Sequence, residues 1–245
     1  KNKYFSVFLF FSLAFSSVLF PFPEKTDAAV ATNITISLPS NNLSLVGWWT
    51  MDGKDTPWTS AIAATTLDKS GNSNTGTLTN MTQATSTVAG KVGQGLLFDG
   101  VDDYVSAGSA AILDDMSQFS FSAWVYGRGY GEASQGWIIG KANFSAGWHL
   151  QSDSFGNILQ FLVGYNTTDL VVETTGLSAT FNQWTHWVVT WDGSTTAANV
   201  HIYKNGQEVT YSTQTNASGT RDSEAAQNLV IGNMGTDRTF DGIID

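Results

Sequence analysis

Residues 126–138, YGRGYGEASQGWI, carry the side chains that a small polyhydroxylated ligand needs. Tyr126, Tyr130 and Trp137 offer aromatic faces for the CH face of a sugar ring. Arg128 and Glu132 offer a charged donor and acceptor to fix hydroxyl groups. The interleaved glycines allow close backbone approach. These five residues are the candidate ligand-binding set, although a plain flexible loop has the same composition. Trp58, Trp148 and Tyr165 also lie in or beside loops and extend the list of candidate sugar platforms, whereas Trp48, Trp124, Trp184 and Trp187 fall in strands and read as core. Catalytic patterns are missing. His149, His186 and His201 stand apart, with no H-E-x-x-H or H-x-H arrangement, and there is no G-x-S-x-G elbow. Without cysteine there is neither a thiolate metal site nor a disulfide frame.

Short apolar runs between turn clusters must position these groups. They fall at 46–51, 95–98, 104–107, 119–126, 137–140, 148–151, 158–163, 170–172, 184–191, 200–203, 209–211 and 229–231. No helical period or heptad competes with them, so the pattern predicts an all-β, antiparallel sandwich or barrel. In 119–126, Phe119, Phe121, Ala123 and Val125 share one face, which reads as core. Ser120, Ser122, Trp124 and Tyr126 share the other, a polar-aromatic face. In 184–191 both faces are partly apolar, which predicts a central strand. Asn205-Gly206 between two strands is a strong hairpin signal.

Composition narrows the function. The chain of 245 residues carries a net charge of −10, with 11 Lys and Arg against 21 Asp and Glu, and only 13% of its residues are charged. Nucleic-acid binding needs a basic face, so that class is excluded. At the N-terminus, Lys1 and Lys3 precede a charge-free, Phe-rich run over 4–22, followed by Ala29-Val30-Ala31. That order reads as a secretory signal peptide over 1–31, with a retained N-terminal anchor as the rival reading. Residues 32–44 read as a linker and 45–245 as one domain. Beyond the leader no apolar run is long enough to span a membrane.

Five segments resemble the LamG-like jelly-roll family of the concanavalin A-like lectin/glucanase superfamily. They are LVGWWTMD at 45–52, DKSGNSNTG at 68–76, GKVGQGLLFDGVDDYV at 90–105, FSFSAWV at 119–125, and QWTHWVVTWDG at 183–193 with the hairpin that follows. The resemblance spans about 45–245. It implies a concanavalin A-like jelly roll, with possible structural Ca²⁺ where the D-x-S-G-N loop meets the sheet ends. The oxygens available there belong to Asp68, Asn72, Asn74, Asp99 and Asp245. The same residues serve equally as Asx-turn formers, and Asp102 and Asp103 read as turn residues. Glucanases of the superfamily use an E-x-D-x-x-E strand motif, and none of Glu132, Glu173, Glu208 or Glu224 begins one. The family pattern FDGIID at 240–245 breaks off within its final strand, so this reading expects a shortened strand and an open sheet edge.

The expectation is therefore a secreted or cell-surface, non-catalytic recognition or adhesion module. Its ligand would be a polysaccharide or glycoprotein glycan, and it would belong to a larger multidomain protein. A glycan-active enzyme and a protein-adhesion domain are the alternatives.

Overall fold

The computed structural model describes residues 44–143, 146–234 and 237–245, all of them within one compact unit, Asn41–Asp245. The reading of 1–31 as a leader, and nearly all of the 32–44 linker, lie outside these residues.

Among the described residues, seventeen strands form two antiparallel sheets. The strands are β1 (Trp58–Ser60), β2 (Ala63–Thr66), β3 (Gly76–Thr79), β4 (Thr87–Ala89), β5 (Gln94–Asp99), β6 (Tyr104–Gly108), β7 (Phe119–Gly127), β8 (Gln135–Ala142) and β9 (Gly147–Asp153). There follow β10 (Ile158–Val163), β11 (Leu170–Thr174), β12 (Thr185–Trp191), β13 (Val200–Lys204), β14 (Gln207–Glu208), β15 (Tyr211–Thr215), β16 (Leu229–Ile231) and β17 (Asp241–Ile244). The ten-stranded sheet runs β1-β2-β3-β6-β16-β8-β9-β10-β11-β15, and the seven-stranded sheet runs β14-β13-β12-β7-β17-β5-β4. One four-residue α-helix, α1 (Gln83–Ser86), precedes β4. Among the described residues no helix is long and apolar enough to cross a membrane.

The inward faces carry the bulk of the apolar side chains. Trp148 and Leu150 of β9, and Leu159, Phe161 and Val163 of β10, face Trp187, Val189 and Trp191 of β12 and Val200 and Ile202 of β13 within one buried cluster. Phe119 and Phe121 lie against Trp148 at ring separations of 4.4 and 5.7 Å. The alternation of β12 is complete: Thr185, Trp187, Val189 and Trp191 are buried, while His186, Val188 and Thr190 are only half-buried. Strands β7 and β13 flank it, so it is central as its two-sided apolar pattern predicts. The β13–β14 hairpin turns through Asn205 and Gly206, both at positive φ.

Three features differ from the sequence reading. The run 46–51 forms no strand; it makes one bridge, Trp49 to Asp68, with the Trp49 Nε1 donating to the Asn74 carbonyl at 2.8 Å. The run 209–211 is split, because the chain passes between β14 and β15 from one sheet to the other. Strands β1 to β4 are rich in Thr, Ser and Gly, and an apolar pattern cannot reveal them. At β7, the partner β17 pairs with 125–127, and Trp124 and Asp245 exchange two backbone hydrogen bonds. Residues 119–123 have no strand partner on that side among the described residues.

Candidate functional site

The site begins with an irregularity in β8. Its register against β9 shifts between Trp137 and Ile139, so Trp137 pairs with Gln151 and Gly140 with His149. Ile138 thereby enters the inner core, while Trp137, also buried, belongs to none of the core cluster between the sheets. Its ring lies over Gly140, where a Cβ atom would come within 2.2 Å of the indole. The indole stacks on the His149 imidazole, with centroids 4.5 Å apart and planes 24° apart.

Alternate residues of β9 and β10 continue this outward face. His149 pairs with Leu162, and Gln151 with Gln160. The amides form a relay. Arg238 Nη1 donates to Gln151 Oε1 at 3.3 Å, Gln151 Nε2 to Gln160 Oε1 at 3.2 Å, and Gln160 Nε2 to Glu173 Oε1 at 2.8 Å. Gln135 Nε2 donates to Asp153 Oδ2 at 2.5 Å. A groove of about 260 Å³ opens over this face; Gln135, Gln151, Asp153, Gln160, Asp169 and Arg238 are among the residues that line it. The Arg238 segment is held in place by backbone. Trp137 N donates to the Arg238 carbonyl at 2.8 Å, and Glu132 Oε2 accepts from both Thr239 N and Thr239 Oγ1 at 3.3 Å.

His149 is the unusual member. It is only 7% exposed, and both ring nitrogens are closed off from solvent, with the Gln160 amide beside the ring. Burial and then the Arg238 charge push its pKa down to about 3, with the neighbouring Gln160 amide acting weakly the other way. The ring is therefore neutral at physiological pH and presents one donor and one acceptor.

The candidate residues from 126–138 do not converge. Tyr126 lies on the outside of the seven-stranded sheet, edge-on to Trp184 at 5.7 Å. Arg128 is exposed; burial and the Asp99 charge leave the Asp241 carboxyl above its usual range, and the Arg128 charge offsets only part of that rise. Tyr130 donates to Asn157 Oδ1 at 2.7 Å and packs against Phe181. Glu132 braces the groove wall, and Trp137 is 1% exposed, so it cannot be an open sugar platform. Trp148 and Tyr165, also named as loop platforms, are buried in the core cluster. Conversely Trp48, read as core, is 47% exposed, and Trp124 and Trp184 are only half-buried. Sequence reasoning missed His149, Gln151, Asp153 and Gln160. For His149, Gln151 and Asp153 the signal was the polar residue at every second position of WHLQSD, which marks an outward face; Gln160 stands alone in the apolar run ILQFLV.

Of the residues expected to hold calcium, Asp68, Asn72 and Asn74 share one loop, Asp99 ends β5 and Asp245 follows β17. Asp68 Oδ1 accepts from Trp48 N and Ser70 N, and its Oδ2 from Asn74 N, so this carboxylate closes the loop. Those bonds hold its pKa down against burial. Asn72 Nδ2 donates to the carbonyls of Leu45 and Val46, Asn74 Nδ2 donates to Val46, and Asn74 Oδ1 is buried without a partner. Asp245 Oδ2 accepts from Val92 N at 2.7 Å. Asp99 groups instead with Asp102 and Asp103, their ligand oxygens lying within 4.8 Å of one another. Asp103 is buried, and its pKa is pushed up to about 6 by burial, then by the charges of Asp99 and Asp102, against one hydrogen bond from Asp99 N.

Two stacked antiparallel sheets with a polar groove outside one of them define a jelly-roll sandwich of lectin-like architecture. The Laminin_G_3 model of the concanavalin A-like lectin/glucanases superfamily matches residues 99–245, and the chain belongs to that family. No curated protein is similar to it at a significant level. Among solved structures, domain 4 of AbnA, a GH43 extracellular arabinanase from Geobacillus stearothermophilus in complex with arabinotriose, is 21% identical. That match covers 73% of this chain and 82% of that one, with a TM-score of 0.53. A botulinum neurotoxin type C structure, described as depending on two ganglioside molecules for cell entry, is 15% identical with a TM-score of 0.51. It covers 72% of this chain and 40% of that one. The binding domain of serotype G is 17% identical, covers 73% and 43%, and also has a TM-score of 0.51. These likenesses establish the fold.

Proposed function

We propose that this chain is an exported, non-catalytic recognition module that binds carbohydrate in the groove outside β8, β9 and β10. One observation carries the reading: amide, carboxylate and guanidinium groups of Gln135, Gln151, Gln160, Asp153 and Arg238 converge there on a small cavity. Sugar hydroxyls, each both donor and acceptor, match such a lining. The arabinotriose held by the AbnA domain supports the same ligand class. The ligand belongs to a polysaccharide or a glycoprotein glycan, met outside the cell by a module of a larger protein. Titration calorimetry against arabinotriose and a panel of neutral and acidic oligosaccharides tests this. Binding without release of new reducing ends or unsaturated products supports it, and turnover of any of these glycans favours an enzyme instead. Silence across the panel, with capture of a protein ligand, favours protein adhesion.

Calcium enters this proposal as a structural ion only. The five residues first nominated do not gather, and Asp99, Asp102 and Asp103 offer the better oxygen set, since a divalent cation relieves the repulsion that raises Asp103. The expected result is a rise in Tm with millimolar Ca²⁺ that EDTA reverses. An unchanged Tm removes the ion from the proposal.

A further inference from the structure

Resting on the carbohydrate reading, we infer that Phe155, at the tip of the β9–β10 hairpin, is an aromatic platform for the same glycan, so that the ligand lies along β8 and β9 and reaches past the end of the groove. Phe155 is 90% exposed, more than any other large apolar side chain among the described residues. Single apolar residues on a surface are ordinary; what sets this one apart is the frame that holds it. Ser154 N donates to the Ser134 carbonyl at 2.9 Å, and Leu177 N to the Asn157 carbonyl at 3.0 Å. The Tyr130 hydroxyl donates to Asn157 Oδ1 at 2.7 Å, and Phe155 N to Asp153 Oδ1 at 2.7 Å. The tip is thus tied to the chain on both flanks, and a ring displayed from a braced turn lowers the ordering cost of binding.

Placement supplies the second requirement. The groove lining includes both the Ala142–Gly147 pair and the Gln135–Asp153 pair, which close the two ends of the β8–β9 ladder. Along β9 these pairs stand about 20 Å apart, at ~3.4 Å per residue. Asp153 joins the groove to the tip, because its Oδ2 accepts from Gln135 Nε2 and its Oδ1 from Phe155 N. A chain of sugars that follows the strands therefore meets Phe155 directly after the last groove residue. Its hydroxyl groups find the amides of Gln151 and Gln160, and the CH face of the next ring finds the Phe155 ring, which carries no polar group of its own. The hairpin has no Lys or Arg, and Asp153 stands beside its tip, so an anionic membrane surface is a poor match for the same ring.

The test is calorimetry on the whole chain with arabinose and cello-oligosaccharides, each from the monosaccharide to the hexasaccharide. In the series that binds, affinity should rise with length by at least about tenfold, the gain expected from covering one aromatic ring. Phe155→Ala should remove that gain and leave the shortest member that binds unchanged, whereas Phe155→Trp should keep it. A ring this exposed adds little to stability, so Tm should move by less than about 2 °C in either variant. Affinity that does not rise with length, full affinity for the long members in Phe155→Ala, or an equal loss at every length overturns this inference while leaving carbohydrate binding in the groove intact. Binding of the unaltered chain to phosphatidylserine vesicles that Phe155→Ala abolishes would overturn it in favour of a membrane surface. No binding by the unaltered chain at any length overturns both readings.

Discussion

The Asp103 carboxyl shows how one buried charge writes a pH signature. Its folded pKa, about 6, lies above the ordinary carboxylate value, so the fold favours the protonated form. Its contribution to stability is complete below about pH 4, is lost as pH rises through about 6, and is absent at neutral pH. In EDTA, Asp103→Asn should therefore raise Tm at pH 7.5 by roughly 3–6 °C and change it little at pH 4. Thermal melts at the two pH values check this, and an equal shift at both would mean that packing rather than charge controls the site. Gly140 makes the complementary case for shape. A methyl group there would meet the Trp137 ring at 2.2 Å and the His149 Cβ at 2.7 Å. Gly140→Ala must push one aromatic off the other, at a cost of about 1–3 kcal/mol for overpacking. A melt should show that loss, and titration should show glycan affinity falling with it, because the shifted aromatics displace the groove floor next to Gln151 and Gln160.

At the scale of elements, Lys141 ties β8 to the segments around 109–114 and 224–227. It is 0% exposed at the inward side of β8 and ion-pairs with Asp114 at 2.9 Å. Its Nζ donates to Ser109 Oγ and to the carbonyls of Glu224 and Gln227. Lys141→Met leaves those acceptors unmet, and breaking a buried pair from one side costs about 3–5 kcal/mol. A fall in Tm of roughly 6–15 °C is expected, and a fall under about 2 °C would show that water replaces the ammonium freely. This link illustrates what the sequence made legible. Strands with apolar alternation, such as β7, β10 and β12, were readable because period-two burial leaves a mark in residue type. Strands β1 to β4 were not, since Thr and Gly serve an edge and a turn equally well. The groove was half legible. Residues 126–138 pointed to Glu132 and Trp137, which do support it, but its lining comes from β9, β10 and Arg238, and only the β8 register shift brings these together.

The whole molecule is acidic, with a net charge of −10, and its polarity is carried mostly by uncharged side chains. Those two facts make different forecasts for binding. If attraction of charges drove recognition, affinity would fall steeply with salt, because exposed charges are screened beyond a Debye length of ~8 Å at physiological ionic strength. If the neutral amides of the groove drive it, the ligand carries no charge and salt has little to screen. The Kd for the best neutral oligosaccharide should then change by less than about twofold between ~20 mM and ~500 mM NaCl. The acidic member of a matched pair should behave differently. Its repulsion from Asp153 and Asp169 is relieved by salt, so its Kd should improve over the same range. Titration of both sugars across the salt series separates the cases, and a neutral ligand whose affinity drops tenfold or more would place recognition on the charged surface rather than in the groove.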